Sequence, residues 1–319
     1  MALISDLLDP QAPREPLRAA RRDFFRAIAG AAVMGSALSL ATRASAQTGP
    51  SDADVLNFAL NLEYIEASFY AFAVSGTGLP ANQQTGTGTQ GAATGGRQVN
   101  FTDPAVRQIA REIAADEIAH VAFLRQALGS AAVAQPAIDI GVSPTSAFSR
   151  AAQAAGLVPA GGVFDPYASD ENFLLAGYLF EDVGVTAYKG AAPLITNKTF
   201  LEASAGILAV EAYHASILRT TLFAKGLATP SLIDATEAIS NARDSLDGIS
   251  DLDQGVRPTV DSGNNQVSNI APLDPNGIAF SRSTGQVLNI VYLNRAQTNR
   301  GGFLPAGANG PLNTSAANG

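Results

Sequence analysis

From residue 52 onward, apolar positions recur at helical spacing in four long segments, separated by stretches rich in Gly, Pro, Thr and Asn. "SDADVLNFALNLEYIEASFYAFAVSG" opens on a Ser/Asp cap and stops at Ser75-Gly76, which predicts a helix of about 22 residues. "TDPAVRQIAREIAADEIAHVAFLRQALG" has a cap at Thr102 or Asp103, a proline in the first turn and a glycine stop, and predicts a second. Between them, residues 75–102 are rich in Gly and Thr and read as a long flexible loop. A connection from about 130 to 169 leads to a third helix, "SDENFLLAGYLFEDVGVTAYKGAAP", and a fourth, "TFLEASAGILAVEAYHASILRTTLFAKG". A shorter amphipathic piece over 231–246 predicts a fifth helix. The remainder to 319 is polar, Asn/Gly-rich and reads as largely irregular, apart from a strand-like "QVLNIVYL".

The four long segments are two copies of one helix pair. With Glu117 aligned on Glu211, "EIAHVAFLRQAL" and "EAYHASILRTTL" share Glu, His, Leu, Arg and the final Leu at the same offsets. The preceding helices match too, Glu63 standing seven residues before Tyr70 in "EYIEASFY" and Glu181 seven before Tyr188 in "EDVGVTAY". The chain has two histidines, His120 and His214, and each follows a glutamate by three residues. Residues three apart on a helix share a face, with β-carbons roughly 5–6 Å apart, so each pair can present oxygen and nitrogen to one point. An ionised carboxylate in an apolar interior is costly unless paired or bound to a cation. Two divalent cations would balance four such carboxylates, with two neutral imidazoles completing the set.

Composition narrows the chemistry. With 319 residues, 46% of them hydrophobic, the chain can bury a substantial core. The absence of cysteine excludes disulfides, iron–sulfur clusters and thiolate zinc sites, so a metal must be held by carboxylate, imidazole, carbonyl or water. A formal charge of −8 and the lack of a Lys/Arg cluster in the body of the chain argue against nucleic acid as a partner.

"ARRDFFRAIAGAAVMGSALSLATRASAQ" places Arg21-Arg22 before Phe24-Phe25, a modest apolar run and the small-residue site Ala44-Ser45-Ala46. It reads as a twin-arginine export signal over 1–46, too short and too rich in Ala and Gly to remain as a membrane anchor. The expected location is therefore the periplasm or beyond. The expected organisation is signal 1–46, helical bundle 47–228 and C-terminal extension 229–319.

"LNFALNLEYIEASFYAF", "DEIAHVAFL", "FLLAGYLFEDVGVTAY" and "AVEAYHASILR", with the late "AFSRSTGQVLNIVY" and "GGFLPAGANG", resemble the ferritin-like superfamily, and within it an exported family that includes proteins labelled desiccation-related. The resemblance covers nearly all of the mature chain, and the loop over 75–102 is longer than a minimal bundle needs. It implies an all-α four-helix bundle with one long crossover. It also implies Glu63, Glu117, His120, Glu181, Glu211 and His214 as ligands of two iron or manganese ions, with Glu117 and Glu181 free to bridge.

Other polar residues have plainer readings. Glu66 shares a face with Glu63, but its counterpart in the duplicate is Gly184, so it is expected beside the ligands or in solvent. Tyr70 and Tyr188 lie about 10 Å along the axis from the glutamates of their own helices and are expected to pack with a satisfied hydroxyl. Arg125 and Arg219 are expected to bridge helix ends, and Asp116 and Asp182 to pair at the surface. The expected function is redox chemistry on oxygen or peroxide in stress protection, of catalase, peroxidase or ferroxidase type, with small oxygen species or metal ions as partners. A homo-oligomer is compatible with this, a storage cage less so. The alternative is a non-catalytic structural or desiccation protein with a vestigial site, and a hydrolytic zinc pair comes third.

Overall fold

Local chemistry sets the helix ends. The Ser51 hydroxyl accepts the Asp54 N–H while Asp54 accepts the Ser51 N–H, a reciprocal cap that opens α1 (Asp52–Ser75). Gly76 closes it in the left-handed region at φ 75°, donating to the Phe72 carbonyl. Asp103 and Pro104 open α2 (Pro104–Leu128), and the Asn197 side chain accepts the Thr199 and Phe200 N–H groups to open α5 (Lys198–Gly226). Ser169 caps α4 (Asp170–Ala191), and the crossover that precedes it carries a short α3 (Ala147–Ala154). With α6 (Pro230–Asp247) and α7 (Thr284–Tyr292) there are seven α-helices among the described residues. The computed structural model describes residues 49–318, so the export segment expected over 1–46 lies outside the described residues.

The long helices form the expected all-α bundle. α1 packs along α2 and α4 along α5, and the pairs meet through α1 against α4 and α2 against α5. α1 and α4 are buried nearly all round, which is why their sequences lack a continuous polar face. An aromatic cluster of Phe69, Phe148, Phe180 and Phe303 fills one side of the core with ring centroids 4.9–5.7 Å apart. Among the described residues, no helix is long and apolar enough to cross a membrane.

Four sequence expectations change. The loop over 75–102 is tied to the crossover: Ala93–Thr94 (β1) pairs parallel with Ile138–Asp139 (β2), and the Thr87 and Gly91 N–H groups donate to the Ala132 and Gln135 carbonyls. "QVLNIVYL" is not a strand. Ser283 and Gln286 cap it reciprocally as α7, and it buries Val287, Leu288, Ile290, Val291 and Tyr292. The β-branched run signalled strand, but enclosure on all sides left a short helix, which satisfies its own backbone, as the solution.

Asp182 is not a surface residue and Arg219 does not bridge helix ends. Asp182 is buried and accepts from Arg219 (2.8 Å) and Arg243 (3.0 Å). Arg219 also donates to the carbonyls of Gln254, Gly255, Asn269 and Ile270, fastening the C-terminal extension to the bundle. Arg282 joins Asp247 (2.6 Å) and Asp253 (3.0 Å) in the same buried network. The extension is thus held by charge pairs whose carboxylates come from α4, from α6 and from the segment following α6, and β3 (Thr259–Val260) with β4 (Gln266–Val267) forms a small exposed hairpin.

Candidate metal centre

The helical pattern turns six polar side chains into one interior point. Glu63 comes from α1, Glu117 and His120 from α2, Glu181 from α4, and Glu211 and His214 from α5; the four glutamates are fully buried. Ligand atoms of Glu63, Glu117, His120 and Glu211 lie within 4.8 Å of one another, as do those of Glu117, Glu181, Glu211 and His214. Each group could hold one ion. Glu117 and Glu211 belong to both, whereas Glu63 and Glu181 belong to one each. The two glutamates of the Glu-x-x-His pairs are thus the carboxylates common to both groups.

Both histidines present Nδ1 inward. His120 Nδ1 stands 3.2 Å from Glu63, 3.5 Å from Glu117 and 3.7 Å from Glu211, and His214 Nδ1 stands 2.9 Å from Glu117 and 3.4 Å from Glu181. The distances are those of ion pairs, yet the alignments are not those of hydrogen bonds. Both Nδ1 atoms, Glu63 Oε2 and both oxygens of Glu117, Glu181 and Glu211 lack a hydrogen-bond partner. Buried polar atoms are rarely left so, and these aim at common points between them rather than at one another. That is how a ligand set is arranged, and carboxylate oxygen with imidazole nitrogen suits a divalent metal ion.

The surroundings shape the electrostatics. Burial raises Glu117 to about 7, and the Glu63 charge adds to it; burial and the charges of Glu66 and Glu117 push Glu211 well above the carboxylate range. Glu63 goes the other way: burial would raise it, but the His120 imidazole together with Glu117 and the Tyr188 hydroxyl outweighs that effect. Both histidines rise to about 11, the facing carboxylates overcoming the opposing effect of burial. Without a cation, the cluster thus holds itself together by keeping protons.

Several neighbours depart from expectation. Asp116 lies at the protein surface but pairs with His214, its Oδ2 being 3.3 Å from Nε2, which leaves Nδ1 free to face the cluster. Tyr188 packs with its hydroxyl satisfied, as expected, and the acceptor is Glu63 on the other helix pair. Tyr70 faces Glu181 in the mirror arrangement, but its hydroxyl is buried without a hydrogen-bond partner. Arg125 donates to the Tyr64 hydroxyl and the Thr85 carbonyl, bridging α2 to the loop as a helix-end residue would. Glu66 is buried beside the cluster. Gly184 was not singled out as functional, yet a β-carbon there would stand 2.1 Å from Glu211 Oε2 and 3.4 Å from Glu66 Oε1. The signal was present in the broken register of the duplication, Glu66 opposite Gly184.

A sequence model of the ferritin-like domain family matches residues 51–224. The chain is 29% identical over 267 residues to the desiccation-related protein PCC13-62 of Craterostigma plantagineum, an alignment covering 82% of this chain and 83% of that protein. It is 28% identical over 269 residues to the ferritin-like catalase Nec2 of Nesocodon mauritianus, covering 82% and 84%. No solved structure matches the chain.

Proposed function

The chain belongs to the ferritin-like domain family, and from that premise we propose that its bundle core is a dinuclear iron or manganese centre that disproportionates hydrogen peroxide in an exported stress-protection protein. The observation that carries the reading is the set of buried oxygens and two Nδ1 atoms that converge without hydrogen-bonding. Glu63, Glu117, His120 and Glu211 would hold one ion, and Glu117, Glu181, Glu211 and His214 the other. Four carboxylates then balance two divalent cations, and the cost of burying them becomes binding energy.

Two adjacent redox-active ions would supply the electrons that peroxide exchanges. In the overall reaction, one peroxide takes two electrons and two protons and leaves as two waters, while a second gives up two electrons and two protons and leaves as dioxygen. No outside reductant is needed, which suits a chain without a nucleotide or phosphate motif. The residues' own work is positional. Asp116 and Tyr188 orient His214 and Glu63, and the apolar walls keep bulk water out. The catalase among the relatives favours peroxide over dioxygen or ferrous iron as the substrate. The Arg21-Arg22 segment supports export through the twin-arginine route.

Elemental analysis of protein produced with iron and with manganese, followed by peroxide consumption and dioxygen release, tests this. About two equivalents of one metal with dioxygen release supports the proposal. A well-folded protein with substoichiometric metal under both supplies overturns it in favour of a structural desiccation protein.

A further inference from the structure

The duplication is broken at one place beside the centre, and a crevice of about 30 Å³ reaches that place. Glu66 on α1 and Gly184 on α4 line it, together with apolar residues of both helices and with Ile290, Val291 and Phe303 of the C-terminal extension. Leu62, Glu66, Leu179, Phe180, Val183 and Val291 each retain 5–8% exposure, whereas Leu60, Tyr64, Phe173 and Leu174 on the same two helices have none. Six of the residues lining the crevice are thus not fully closed off from solvent. The missing β-carbon of Gly184 leaves this part of the lining against Glu211, a carboxylate common to both ligand groups.

Building on the peroxide reading, we propose that this crevice is the substrate passage and that the C-terminal extension makes it selective for small uncharged molecules. Glu66 is its one polar side chain, and every other wall is apolar. The volume suits about two water-sized groups, the size of hydrogen peroxide. An anion would have to shed its hydration in an apolar slit and then meet the Glu66 carboxyl group, which disfavours it. A bulkier organic hydroperoxide would collide with Val291 and Phe303. Where Glu66 would have a second glutamate opposite it in a perfect repeat, Gly184 leaves the gap. The extension thus does more than cover the bundle: α7 and Phe303 set the width of the passage.

Two variants on the extension, away from the ligands, test this: Val291→Phe to fill the crevice and Val291→Ala to widen it. Hydroxyl-radical labelling read by mass spectrometry on metal-free protein reports access independently of turnover. Leu62, Leu179 and Phe180 are expected to label above Leu60, Leu174 and Phe173, and Val291→Phe to suppress that labelling. In metal-replete protein, Val291→Phe is expected to lose most hydrogen peroxide turnover at unchanged metal content, and Val291→Ala to gain turnover of tert-butyl hydroperoxide. Suppressed labelling with unchanged turnover in Val291→Phe places the route elsewhere and overturns the proposal. So does equal labelling of the two sets of residues in the parent protein. Failure of the redox reading has a different signature, metal without turnover in the parent protein while the crevice residues still label, and it reduces the crevice to a solvent cleft.

Discussion

The hydroxyl of Tyr188 donates to Oε1 of Glu63, so the second helix pair holds in place a carboxylate supplied by the first. Loss of such a partner to a ligand typically costs about 10–100-fold in metal affinity, and that is the loss expected for Tyr188→Phe. Tyr70→Phe removes a hydroxyl that has no partner and should leave affinity nearly unchanged. Competition against a chelator of known affinity, run on both variants, measures the difference; equal effects would remove the orienting role of Tyr188.

Shared and unshared carboxylates should separate by metal stoichiometry. Glu211→Gln alters both ligand groups and should abolish stable binding, whereas Glu181→Gln alters one and should leave about one ion per chain, the binding energy being carried by the remaining set. In metal-free protein the sign reverses. Glu211→Gln removes a carboxyl group that burial and like charges hold far above its ordinary range, so its melting temperature should rise. A fall in the metal-free melting temperature would count against a site preorganised for cations.

The pH dependence follows from the same groups. In the metal-free fold Glu117 titrates at about 7 instead of 4.5, so its carboxylate costs stability as pH rises above 4.5, and the cost is complete above about 7. His120 and His214 titrate at about 11 instead of 6.5, so their contribution is fully present below 6.5 and fades as pH approaches 11. Both trends make the metal-free protein less stable with rising pH. Metal uptake needs neutral imidazoles, so it should release protons and tighten as pH rises. Calorimetric titration in buffers of different ionisation enthalpy counts those protons, and a heat independent of buffer would contradict the assignment.

Gly184 and Gly206 offer a matched pair. Alanine at Gly184 would drive a β-carbon to 2.1 Å from Glu211 Oε2 and should displace that carboxylate, lowering metal content with the helices intact. Gly206 is an exposed helical position on α5 with nothing within 4 Å, so alanine there should stabilise by about 0.5–1 kcal/mol. Metal analysis and thermal unfolding of both variants decide whether Gly184 is required for space or is merely a poor helix former.

Arg219→Ala should be the most damaging change away from the centre. It leaves Asp182 with fewer counter-charges and strands four carbonyls of the extension, and removal of one partner from a buried ion network costs roughly 3–5 kcal/mol. Denaturant unfolding would measure the loss, and limited proteolysis should then cut between residues 249 and 275 first.

Periodicity alone was enough for the four long helices, because their apolar spacing, Ser/Asp/Asn caps and Gly or Pro boundaries are local properties that act within a few residues. The two Glu-x-x-His pairs were legible for the same reason: a three-residue spacing on a helix is already a geometry, and the internal repeat shows it twice, whereas Glu63 and Glu181 as partners of those pairs followed from the family resemblance. What needed the folded chain was everything set by packing between segments distant in sequence. Asp182 looked like a surface residue and Arg219 like a helix-end bridge because a side chain's direction on a helix does not say what will cover it; residues 253–282 cover them here. Tyr188 is two turns from the glutamate of its own helix yet touches the glutamate of another. The strand-like "QVLNIVYL" became a helix because burial outweighed its β-branched preference. Sharing of Glu117 and Glu211 between the two groups, and the close approach of Gly184 to Glu211, depend on how helices distant in sequence pack together, which no local pattern encodes.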